Sequence, residues 1–93
     1  MDTKRSPWLL YPGDVGGEIR PASQIAIIKS IVFSDYIDPE HRCVLKDAKE
    51  RIVYEQRGAT DYSPVTIEFP CTYHTRGLYL IQLDSGKCEV HIR

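Results

Sequence analysis

The sequence predicts an all-β fold, an antiparallel β-sandwich of roughly five to seven short strands behind a loop-rich N-terminal arm, and three observations carry that expectation. The chain has 93 residues, 42% of them hydrophobic, enough for one small core and too few for a second domain. Its apolar and polar residues alternate in short runs separated by Gly, Pro, Asp and Ser, as half-buried strands do. Residues 77–93 read as two such runs around a two-residue Ser85-Gly86 turn, which predicts a hairpin. The arm is assigned to residues 1–22 and the sandwich to residues 23–93.

Taken in order, the arm holds three of the six prolines and three of the six glycines, including Pro12-Gly13 and Gly16-Gly17, and so is mostly turn and loop. Trp8, Leu9, Leu10 and Tyr11 are apolar enough to form a short edge strand, and a second is placed near residues 18–20. From Gln24 the pattern turns regular. Ile25, Ile27, Ile31 and Phe33 share one parity, with Lys29 as the exception, while Ile28 and Val32 take the other, so this segment is expected to be buried on much of both faces.

Residues 35–40 form a polar turn, residues 42–46 a strand and residues 51–56 its hairpin partner. A helix competes over residues 45–57, where Leu45, Ala48, Ile52 and Glu55 have helical spacing. The β-branched Ile52-Val53 pair beside Tyr54 favours the strand. Residues 57–64 are a loop, residues 65–69 alternate without exception, and Pro70 ends that strand. On the last two strands Tyr79, Ile81 and Leu83 are expected to face inward, as are Cys88, Val90 and Ile92, with Glu89, His91 and Arg93 facing out.

The charge balance, 12 Lys+Arg against 13 Asp+Glu, gives no positive field for nucleic acid, and no basic run exceeds Lys4-Arg5. The longest apolar stretch, from Ile25 to Phe33, is broken by Lys29 and Ser30 and is far short of a membrane span. The N-terminal apolar run lies between Pro7 and Pro12 and does not read as a secretory signal. No cofactor motif is present, so no cofactor is expected.

Three cysteines, Cys43, Cys71 and Cys88, leave the redox compartment open. Cys88 and His91 are three apart on a strand, point to opposite faces and cannot share an ion. A metal set of His41, Cys43, Cys71 and His74 is the weaker alternative to ordinary surface histidines and small apolar cysteines. Cys71 and His74 form the one loop pair suited to a thiol nucleophile, yet no oxyanion site, nucleophile elbow or phosphate loop accompanies them, so the chain is expected not to be an enzyme. Trp8, Tyr11, Tyr36, Tyr62 and Tyr73 are candidate binding aromatics, able to stack on sugars or anchor a protein partner. The competing reading has Trp8 and Tyr11 covering one open end of a small core. Asp35, Asp38, Glu40 and Asp61 have no calcium-loop spacing and are read as solvated turn residues.

The succession CVLKDAKERIVY over residues 43–54, PVTIEF over 64–69 and RGLYLIQL over 76–83 resembles the small immunoglobulin-like β-sandwich modules of secreted Bacteroidetes proteins. The resemblance covers residues 42–93 and implies an immunoglobulin-like sandwich of about seven strands. It also implies a non-catalytic module of an exported or cell-surface protein that binds protein or glycan or acts as a spacer, through its end loops or an unpaired sheet edge. Related modules serve as C-terminal sorting domains for secretion, a role this chain's Val90-His91-Ile92-Arg93 ending fits less well. A small cytoplasmic metal-binding or thiol-active protein is the remaining alternative. The family favours Gly where this chain has Glu50, a turn position suited to positive φ. Gly77 agrees with the family and is read as a turn into the following strand. Cys43 and Cys88 lie in inward rows, as the paired cysteines of many such sandwiches do, and are read as reduced core residues, with a disulfide as the alternative.

Overall fold

The computed structural model describes residues 5–93; the first four residues of the arm, with Lys4 of the Lys4-Arg5 pair, lie outside the described residues. Eight strands are present in this range: β1 (Trp8–Leu10), β2 (Glu18–Ala26), β3 (Ile28–Ser34), β4 (Arg42–Lys46), β5 (Ile52–Arg57), β6 (Val65–Glu68), β7 (Thr75–Leu83) and β8 (Lys87–Ile92). They form two four-stranded antiparallel sheets, ordered β1-β8-β3-β6 and β2-β7-β4-β5. The fold is therefore the expected antiparallel sandwich, and residues 8–26 supply one edge strand to each sheet. The competing helix over residues 45–57 is absent, because β4 and β5 pair as a hairpin from Arg42↔Arg57 to Lys46↔Ile52.

The connection of β7 to β8 departs from the expected hairpin. β7 lies in one sheet and β8 in the other, so residues 84–86 form an arch between the layers. In the constant-type immunoglobulin order the last two strands pair within one sheet. Among the described strands β4–β5 is the one hairpin, and every other connection crosses between sheets. Gly86 makes the arch possible. It holds φ 75 with its α-carbon against the Ser34 carbonyl and the Tyr36 amide, where a β-carbon would collide with backbone.

Inserted residues in β3 and β7 reset the inward rows of those strands. In β3 the register against β8 steps between Ile28↔Ile92 and Ser30↔His91, leaving Lys29 as the extra residue. Ile28, Ile31 and Phe33 consequently all reach the core, and the exceptional parity of Lys29 is the mark of this bulge. In β7 the register against β4 steps between Leu45↔Leu80 and Val44↔Gln82, leaving Ile81 extra. Leu78, Leu80 and Leu83 are buried while Ile81 is exposed. The expected row of Tyr79, Ile81 and Leu83 is thus right at Leu83 alone. Gly77 lies inside β7 rather than before it, at φ 74 in close contact with Ala22 and Ala48.

The core joins Leu10, Ile28, Ile31, Phe33 and Val90 of one sheet to Leu45, Tyr54, Leu78 and Leu80 of the other. Its sides are closed by two larger groups. The buried Trp8 ring of β1 lies 4.4 Å beneath the Arg20 guanidinium of β2, a cation–π contact across one open side. On the opposite side the Tyr54 hydroxyl of β5 donates to the Val65 carbonyl of β6 at 3.1 Å. Antiparallel pairing throughout gathers residues 11–17, 35–41, 58–64 and 84–86 at one end, called here the upper end. The other, basal end holds the β2–β3 crossover at Ile27, the 47–51 turn, residues 69–74 and Arg93, whose amide donates to the Ile27 carbonyl at 2.9 Å.

Candidate functional site

Two of the side chains singled out in the sequence, Tyr36 and His41, hold the upper end together. Tyr36 is 4% exposed, with its ring against Phe33 at 4.7 Å and Tyr62 at 6.1 Å. Its hydroxyl accepts from the Ala59 amide at 2.6 Å and donates to the Ser63 carbonyl. Gly58 lies directly under the ring, where no β-carbon would fit. Tyr36 is therefore a post that fixes the 58–64 loop, and its faces are already used. Tyr62 and Tyr11 remain exposed at this end. The candidate aromatics do not form one platform: Trp8 is buried under Arg20, and Tyr73 lies at the basal end, stacked on Phe69 at 4.7 Å. Burial, reinforced by nearby Asp47, pushes the Tyr73 hydroxyl above its ordinary pKa.

The sequence gives no sign of the His41–Ser85 contact, since the residues are far apart in the chain. His41 Nδ1 lies 2.7 Å from Ser85 Oγ, which also accepts from the Ile37 amide at 3.0 Å. Asp84 follows the same logic: its Oδ2 accepts from the Arg42 amide at 2.9 Å. That backbone hydrogen bond outweighs burial and, with Gln82, His41 and Arg42 nearby, holds the Asp84 carboxyl below its ordinary pKa. The Ser–His–Asp grouping thus ties the arch to the 35–41 loop. The Ser85 hydroxyl is buried and already engaged, unlike an exposed nucleophile.

The four residues of the alternative metal set do not converge. His41 belongs to the upper end, Cys43 to the core, and Cys71 and His74 to the basal loop. Among the described residues no group of three or more His, Cys, Asp or Glu is placed to hold an ion. Asp35, Asp38, Glu40 and Asp61 serve turns and surface pairs instead, with Lys87, the Glu40 amide, Arg57 and Ser63 as their respective partners. Cys43 and Cys88 face each other from opposite sheets as buried free thiols. The contact with Cys43, together with burial, raises the Cys88 thiol well above its ordinary pKa.

The basal end is different, because apolar and cationic side chains are exposed together there. Ala26 is buried as β2 passes into β3, and alternation sends its neighbours Ile25 and Ile27 outward, at 51% and 44% exposure. With Cys71, Thr72 and His74 they line an apolar hollow of about 270 Å³. A second hollow of about 230 Å³ shares the Ile25 and His74 walls and is completed by Lys49, Arg51 and Arg76. Arg76 arrives there by register, paired with Ile25 across the β2–β7 ladder. Lys49 and Arg51 arrive on the 47–51 turn. Asp47 organises that turn, accepting from the Lys49 and Arg51 amides and from Arg51 Nε, each at 2.9 Å. Burial acts to raise the Asp47 pKa, and these hydrogen bonds and the guanidinium charge overcome it, leaving the carboxyl below its ordinary value.

Scans of this chain against protein-family models, curated proteins and solved structures returned no match.

Proposed function

We propose that the protein is a non-catalytic binding module of an exported or cell-surface protein, and that it engages its partner through the basal end of the sandwich. The observation that carries this reading is the exposure of Ile25 and Ile27 beside a group of cations, a combination that contributes little to the core and suits an interface. The end-loop mode of recognition expected from the sequence is kept, and it moves from the five candidate aromatics to the residues that line the basal hollows. Export is supported by the resemblance of residues 42–93 to secreted modules.

In-cell photo-crosslinking of the full-length protein tests the reading. A photoreactive residue replacing Ile27 is expected to give a discrete adduct, whereas one replacing Tyr62 is expected to give none. An adduct from position 62 alone would move the binding surface to the upper end and defeat the proposal.

A further inference from the structure

We infer that the basal hollows take an acidic peptide segment of a protein partner, with one apolar side chain seated between Ile25, Ile27 and Cys71 and an adjacent carboxylate held by Lys49, Arg51 and Arg76. The inference rests on the basal end being the binding surface and adds the chemistry of what it binds.

Neither hollow alone has the size typical of a pocket that encloses a drug-sized ligand: volumes of about 270 and 230 Å³ fall below the roughly 300–1,000 Å³ of such pockets. Each is suited to a side chain, and their shared Ile25–His74 wall places the two occupants at neighbouring positions of one segment. A glycan is the weaker occupant, because Tyr73, the candidate aromatic at this end, is stacked on Phe69 and lines neither hollow, so the hollows lack the aromatic platform that sugars use.

Charge sets the second half of the segment. The whole chain carries −1, so three permanent cations around one hollow are a local feature rather than a consequence of composition. Of the two carboxylates on the 47–51 turn, Asp47 is 7% exposed, with its oxygens filled by Lys49 and Arg51 donors, and Glu50 is exposed but does not line the hollow. Arg51 gives up only Nε to Asp47 and remains 71% exposed, leaving its terminal nitrogens for a partner. An Arg fork is matched in geometry to a carboxylate, and the apolar hollow beside it supplies the anchor pocket on which interface affinity concentrates.

Panning a phage-displayed library of random dodecapeptides against the folded full chain tests the inference, followed by NMR titration with an enriched peptide. Enrichment of sequences carrying an apolar residue within two positions of Asp or Glu is expected, with resonance changes at Ile25, Ile27, His74 and Arg76. The double variant Lys49→Glu, Arg76→Glu changes two exposed side chains and is expected to weaken that peptide at least tenfold while its amide spectrum stays folded. Peptides lacking acidic residues but shifting the same resonances would overturn the ligand class and leave the basal surface standing. No enrichment from the library would overturn the inference. Shifts confined to residues 11–17 and 58–64 would overturn both the class and the surface.

Discussion

Glu50 holds φ 62 in the 47–51 turn, a left-handed conformation in which its β-carbon crowds the following carbonyl at a cost of about 1–2 kcal/mol. The turn keeps this geometry because Asp47 fills it with hydrogen bonds, and the Glu50 amide donates to the Asp47 carbonyl at 3.0 Å. Glu50→Gly relieves the crowding while adding about 0.5–1 kcal/mol of chain entropy to lose, so a net gain of roughly 0.5–1 kcal/mol is expected, read as a rise of several degrees in Tm. Asp47 and Asp84 contribute to the acid behaviour. Both carboxyls are lowered in the folded state, so the stability they contribute is complete above the ordinary carboxylate pKa of ~3.9 and is lost as pH falls through the lower folded values. Urea titrations from pH 6 to pH 2 are expected to show stability falling below about pH 4, and the Asp47→Asn, Asp84→Asn double variant should show a shallower decline. At this scale the polar connection over residues 47–50 was legible as a link between two strands. The Asp47 network was not, because its donors are identified only once the turn has closed.

The elements show what alternation reveals and what it conceals. The runs over residues 65–69 and 77–83 mark strands correctly, since only a strand repeats every two residues. Residues 25–33, expected as one segment buried on much of both faces, are instead divided at Ile27 between β2 and β3, with Ile25 and Ile27 exposed. The inward rows of β3 and β7 depend on the bulges at Lys29 and Ile81, and a bulge shifts every later side chain by one position relative to the partner strand. The crossover at Ile27 makes the consequence measurable. Ile27 and Ile28 are adjacent and chemically identical, yet the first is 44% exposed and the second fully buried. Ile28→Ala is expected to cost about 2–5 kcal/mol as a core truncation, against less than about 1 kcal/mol for Ile27→Ala, measured by chemical denaturation of the two variants. A large loss at position 27 would mean that this side chain serves the core and is not held for a partner.

For the whole molecule the alternation of strands between layers has a mechanical result. Six crossings lace the two sheets together, so neither sheet can separate without breaking the other's connections. Unfolding is expected to be a single cooperative transition: fluorescence of the only tryptophan, Trp8 on β1, should coincide with far-ultraviolet circular dichroism across urea. Separate midpoints would show the sheets unfolding independently. Folding should be slow for the size, in milliseconds to seconds, because nearly all strand pairs join distant segments.

The sequence by itself determined the class of the fold, the positions of β1 and of β4 to β8, the β4–β5 hairpin and the inward placement of Cys43, Cys88 and Val90, because local periodicity and turn residues act over a few positions and need no partner. The tertiary structure alone decided which sheet each strand joined, where the bulges in β3 and β7 reset their rows, and that Tyr36 would be a post rather than a binding face. It also decided that Ile25, Arg51, His74 and Arg76, distributed over three separate segments, would meet at one end. Those outcomes depend on contacts between residues far apart in the chain, and no local pattern encodes them.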